Sequence, residues 1–169
     1  MYTDSVSEII DDLLFDERLP DRESMRQEGI RRLLKSNLAK ASSGHKYYYK
    51  PDLTEKVMET ARKYFDANAR EEEILGFYDD TLFGKANEGI LFCTGGMFIR
   101  EIWSNPLYIP YQKIMSKQIE PSKKKLILPL SDGEKKEVIM SCNKEVMGDM
   151  IRQIVELYKR LEERTRKGK

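Results

Sequence analysis

The sequence predicts an α+β protein in which N-terminal helices precede a seven-stranded antiparallel barrel capped by a C-terminal helix. Three observations carry this. Residues 89–93 and 97–101 read as two strands on either side of Gly95 and Gly96, the pattern of a hairpin on a tight turn. Similar short runs recur before and after it, separated by Gly, Pro, Asn and Asp, which argues for an antiparallel sandwich or barrel. The last apolar segment has helical spacing, with Met147, Met150, Ile151, Ile154, Tyr158 and Leu161 on one face.

Each element follows from its local pattern. Val6, Ile9, Ile10, Leu13 and Leu14 have the spacing of an amphipathic helix, and Leu19, Pro20 and Asp21 end that unit. A second helix starts near Asp21 with the stripe Ile30, Leu33, Leu34 and Leu38. Gly29 within it costs about 1 kcal/mol relative to Ala. Residues 41–45 read as a loop. Pro51 and Asp52 open a third helix with the stripe Leu53, Val57, Ala61, Tyr64 and Phe65. Residues 1–66 thus form a helical region with few apolar side chains for a core of its own, expected to pack on the rest or on another molecule.

From Glu73 the pattern changes to strands. The expected strands are residues 74–78, the hairpin at 89–93 and 97–101, 107–111, 115–120, 125–130 and 137–140. Pro110 marks 107–111 as an edge or bulge, and residues 131–133 make a hairpin turn. The second unit runs over residues 67–169, with Asn143 as the N-cap of the last helix and a basic tail after it.

Bulk properties exclude several classes of function. Net charge is +1, so no global field points to nucleic acid or an anionic surface. Locally, residues 29–50 carry six bases and no acid. Cys93 and Cys142 lack metal-ligand spacing, so neither a disulfide framework nor a zinc site is expected. No apolar run approaches the roughly 18 residues of a membrane span, and no secretory leader is visible. A cytoplasmic protein is the plain reading.

No catalytic constellation is legible, and neither catalytic residues nor a cofactor nor a metal is expected. Glu71, Glu72, Glu73, Asp79 and Asp80 have no histidine beside them and read as a solvated acidic patch. His45, the only histidine, sits in a polar loop. Cys93 reads as a buried thiol. Cys142, just before the last helix, reads the same way unless it faces the helix N-terminus. No phosphate-binding glycine pattern occurs.

Three local patterns carry a resemblance. Gly89, Leu91 and Thr94 fit G-x-L-x-x-T, and Ile109, Pro110, Tyr111 and Ile114 fit I-P-Y-x-x-I. Asp79 to Gly84 precedes them as an acidic turn. In this order they resemble GRAM domains and bacterial pleckstrin-homology-like (PH-like) domains over about residues 70–161. The resemblance implies a PH-like barrel with a C-terminal helix as plug, with Ile109, Tyr111 and Ile114 anchoring one strand.

Such barrels bind rather than catalyse. The resemblance implies first a protein–protein interaction module, with Trp103, Tyr108 and Tyr111 near an edge strand as partner-binding residues. The alternative is a peripheral membrane module binding anionic head groups through Lys123, Lys124, Lys125, Lys135 and Lys136, whose bland reading is solvated turn lysines. Against it, the loop after the first strand carries two aspartates and only Lys85. A third reading is nucleic-acid contact through residues 31–50, where Tyr47, Tyr48 and Tyr49 lie between lysines. Exposed edges and the long last helix leave a homodimer open.

Overall fold

A computed structural model of the chain describes residues 5–65, 73–81, 87–101 and 104–167. It is α+β. Helices α1 (Ser5–Phe15) and α2 (Arg22–Ser42) are followed by β1 (Tyr47–Tyr49) and α3 (Glu55–Phe65). Then come β2 (Ile74–Asp79), β3 (Gly89–Cys93), β4 (Gly96–Arg100) and β5 (Leu107–Pro110). The chain ends with β6 (Glu120–Pro121), β7 (Lys125–Pro129), β8 (Lys135–Ile139) and α4 (Lys144–Lys167).

The strands form two antiparallel sheets, β1-β2-β3-β4-β5 and β6-β7-β8. They are not closed into a barrel; an isolated bridge from Ile114 to Leu130 joins their ends. Among the described residues this replaces the expected seven-stranded barrel with eight strands in two sheets. The added strand is β1. Tyr47, Tyr48 and Tyr49 pair with Tyr78, Phe77 and Gly76, and the Lys50 amide extends the ladder to Leu75 O at 3.0 Å. That ladder holds the chain in the sheet past Lys50. Helix α3 therefore starts later than the sequence predicts, capped by Thr54, whose Oγ1 accepts from the Val57 amide at 3.2 Å. The strand expected at 115–120 is mostly the 3-10 turn Ser116–Gln118, with a second such turn, Tyr111–Lys113, before it. Here the Met115 amide reaches across to Pro129 O at 2.9 Å instead of extending a ladder.

Helix α2 begins where the sequence places it. The Asp21 carboxylate accepts from the Ser24 amide at 2.7 Å, and Ser24 Oγ accepts from the Asp21 amide at 3.3 Å, a reciprocal cap. It runs to Ser42, past the expected end. Ser43 and Gly44 then take positive φ, 49° and 89°, and turn the chain out.

The five-stranded sheet is covered on both faces, so β2 and β3 are buried at every position. On one face Val57, Met58, Ala61 and Phe65 of α3 pack on Ile74, Phe77, Leu91 and Cys93. On the other, Leu75, Tyr78, Ile90 and Phe92 join a cluster that includes α1, α2, α4 and the three-stranded sheet. The two sets alternate along β3 as the pleat requires. In β2 the parity slips, because the register shifts between Ile74 and Gly76.

The same cluster joins Ile30, Leu33, Leu34 and Leu38 of α2 to Met150, Ile151, Ile154 and Leu157 of α4. One buried core thus contains residues from both sides of the 66/67 boundary. Gly29 lies at this crossing. A Cβ there would stand 2.7 Å from Leu157 Cδ1 and 3.1 Å from Leu13 Cδ1, so glycine lets three helices approach. Helix α4 is capped by Asn143, whose Oδ1 accepts from the Val146 amide at 3.3 Å. It buries Val155 and Leu157 beyond the expected stripe, one on each flank: Leu157 meets α2 at Gly29, and α4 is also packed by the segment from Tyr111 to Pro129.

Candidate functional site

The open side between the two sheets forms a cleft of about 550 Å³. Asp80 follows β2, Glu88 precedes β3 and Glu101 follows β4, so the five-stranded sheet supplies a carboxylate wall. The opposite wall holds Lys123 and Lys124 from the β6–β7 turn, the end of β8, and Lys144 at the start of α4. Lys144 Nζ donates to Met140 O and Cys142 O at 3.0 and 3.1 Å.

Strand β8 is an edge strand, and its amide directions follow from one bond. The Met140 amide donates back to Lys124 O at 3.4 Å. Even-numbered amides therefore face β7, and those of Glu137, Ile139 and Ser141 face outward. Two of these are capped from across the cleft. The Ile139 amide donates to Glu101 Oε1 at 3.2 Å, and the Ser141 amide to Asp80 Oδ1 at 2.9 Å. The carboxylate oxygens stand where a neighbouring strand would put carbonyl oxygens.

Asp80 Oδ1 also accepts from the hydroxyl of fully buried Tyr78 at 2.5 Å. Burial, and then Asp80 itself, push the Tyr78 phenol far above its usual range. Buried Asp79 accepts from the Thr81 amide and hydroxyl at 2.9 and 2.5 Å. Burial raises the Glu88 carboxyl, and the negative Asp80 raises it further, against the opposing pull of Arg100. The carboxylate wall is therefore crowded with negative charge.

The five lysines of the sequence reading fall into three environments. Lys123 and Lys124 line the cleft, exposed, with no ion-pair partner among the described residues. Lys125 pairs with Glu137 at 3.1 Å and Lys136 with Glu134 at 3.4 Å. Lys135 borders a separate groove of about 230 Å³ with Lys117 and Ile127. The pairing carboxylates come from the facing strand or the adjacent turn, a relation that a run of lysines does not display.

The three aromatic candidates also separate. Tyr108 is 43% exposed at the edge of the five-stranded sheet, its ring 4.7 Å from Phe98. Tyr111 is fully buried and its hydroxyl donates to Cys93 O at 2.8 Å, so it presents no surface to a partner. This corrects its placement among partner-binding residues: the 3-10 turn after β5 rotates it into the core. Trp103 lies outside the described residues, as do Lys85, Glu71 and Glu72.

Edge β5 itself is poor in donors. The Tyr111 amide bonds Gly95 O at 3.1 Å, so odd-numbered amides face β4. Tyr108 then carries the one outward amide of β5, since Pro110 has none.

In the basic, tyrosine-rich segment, Arg31 and Arg32 pair with Glu28 at 2.7 and 3.1 Å. Tyr48 and Tyr49 pack on the two clusters, leaving Tyr47 at 39% exposure. His45 Nδ1 lies 3.3 Å from Thr81 O. Both thiols are buried, and burial pushes Cys93 up to about 12 and Cys142 up to about 11. Cys142 is therefore not the activated thiol its position near a helix N-terminus allowed. Among the described residues, no group of three His, Cys, Asp or Glu side chains is placed to hold a metal ion, and no helix is long and apolar enough to cross a membrane.

The signal that sequence reasoning missed is the pair Asp80 and Glu101, which meet amides 61 and 38 residues away. Comparison of the chain with protein-family models, curated proteins and solved structures returned no match.

Proposed function

We propose that the protein is a non-enzymatic interaction module of PH-like architecture that takes an extended peptide along the outer edge of β8, beside the cleft. The order of four meander strands β2–β5, three strands β6–β8 and a packed final helix supports the PH-like reading. The observation that carries the binding site is the row of outward amides at Glu137, Ile139 and Ser141, two of them held by side-chain oxygens. A peptide strand that displaces Glu101 and Asp80 supplies carbonyls to the same amides, and backbone pairing of this kind gives affinity without a deep pocket. Ile139, 58% exposed, adds an apolar contact beside the edge. A purely anionic ligand is less well matched, because Asp80, Glu88 and Glu101 share the cleft with the lysines.

The test is selection of a displayed random-peptide library on the full chain. Enriched peptides are then measured by fluorescence anisotropy on wild type and on Ile139→Pro, which removes one outward amide at an edge position where proline is tolerated. Binding falls at least tenfold in the variant, with a cooperative thermal transition retained. In wild type, amide NMR shifts on peptide addition concentrate at residues 137–141. No enrichment, or shifts elsewhere on the surface, refutes the proposal.

A further inference from the structure

The cleft beside β8 has two walls of opposite charge. On the β6–β7 turn, Lys123 and Lys124 are exposed cations with no carboxylate partner among the described residues. Neighbouring Lys125 and Lys136 are engaged by Glu137 and Glu134. On the other wall Asp80 and Glu101 hold, in the free protein, the two amides that the peptide takes over. Glu88 stands in the same wall: burial and the charge of Asp80 raise its carboxyl despite the pull of Arg100, and a further cation beside it would relieve that.

We infer that the peptide taken by the β8 edge is zwitterionic, with an acidic side chain against Lys123 and Lys124 and a basic side chain against Glu88. This rests on the strand-addition reading above and adds what the peptide must carry. An extended chain sends alternate side chains to opposite faces, so acidic and basic residues of like parity lie along one face. Both then meet the cleft while the backbone pairs with β8. A nucleic acid or an anionic bilayer presents charge of one sign. It would satisfy the lysines and oppose the three carboxylates of the facing wall, so a polyanion fits this cleft worse than a peptide bearing both signs.

The experiment repeats the library selection on wild type, on Lys123→Glu/Lys124→Glu and on Glu88→Lys, each checked for an intact thermal transition. Wild type enriches peptides containing one acidic and one basic residue at fixed separation. The lysine reversal loses the acidic preference and keeps the basic one; Glu88→Lys does the opposite. For a single wild-type peptide each reversal weakens binding at least tenfold, and higher salt narrows that gap. Peptides that bind β8 without charge preference, or the same preference from all three proteins, overturn the inference while leaving strand addition standing. Absence of any β8-dependent peptide overturns both. Binding of phosphatidylserine vesicles or a single-stranded oligonucleotide at β8 more tightly than any selected peptide overturns the zwitterionic assignment.

Discussion

Asp80→Ala isolates one of the two contacts that tie the sheets together across the cleft. In the wild type one carboxylate oxygen accepts from the Tyr78 hydroxyl at 2.5 Å and from the Ser141 amide at 2.9 Å. Tyr78 is fully buried, so its hydroxyl loses its partner where water does not readily replace it, at about 1–3 kcal/mol. Ser141 is exposed and its amide can be rehydrated, so that loss is smaller, about 0.5–1.5 kcal/mol. Relief of the repulsion between Asp80 and Glu88 works the other way. The sum is a destabilisation of about 2–3 kcal/mol, which lowers Tm by roughly 4–12 °C for a chain of this size. Thermal unfolding followed by far-UV circular dichroism measures it. Asp80→Asn, which keeps the acceptor oxygen, falls less. Tyr78→Phe removes the hydroxyl that Asp80→Ala orphans, so the double variant is more stable than the summed single effects predict, by about 1 kcal/mol. An unchanged Tm in Asp80→Ala, or strict additivity with Tyr78→Phe, would refute the argument.

Glu88→Gln should raise stability at neutral pH. A carboxyl raised in the folded state binds more protons there than in the unfolded chain, so wild-type stability falls as pH rises from the ordinary carboxylate value through the folded one. The advantage of the glutamine variant is therefore largest above that window and closes below it, and urea midpoints at several pH values test this. Gly29→Ala, which favours an isolated helix by about 1 kcal/mol, should instead lower Tm here. Its Cβ meets buried Leu157 at 2.7 Å and 2.9 Å, and overpacking costs about 1–3 kcal/mol. A higher Tm would show that Leu157 moves aside freely. In the native protein neither Cys93 nor Cys142 should react with a disulfide reagent at pH 8, because burial holds both thiols protonated; both should titrate in guanidinium. Rapid native labelling of either thiol contradicts their burial.

Much of the fold was legible because helices and strands write different periods into the chain. The stripes of α2 and α4, that of α1 apart from exposed Leu14, the Asp21 start, the Asn143 cap and the hairpin whose turn holds Gly95 all depend on residues within a few positions of one another. Three consecutive tyrosines show no period, so β1 became visible only through its pairing with Gly76, Phe77 and Tyr78 of β2, a distant segment of the chain. The extent of the α4 core was underestimated for a related reason. Val155 and Leu157 lie on the two flanks of the main stripe, and only the elements packed around α4 bury them.

The cleft shows the same division more sharply. Composition and local pattern determined that the chain has an α+β order, edge strands, a lysine-rich hairpin and an acidic turn after β2. Tertiary structure separated Lys123 and Lys124 from their paired neighbours, turned Tyr111 inward while leaving Tyr108 at the surface, and brought Asp80 and Glu101 onto the amides of β8. The physical reason is range. Side-chain period and turn chemistry act between near neighbours in sequence, whereas burial, ion pairing and capping of an open sheet edge depend on which distant segments the core draws together.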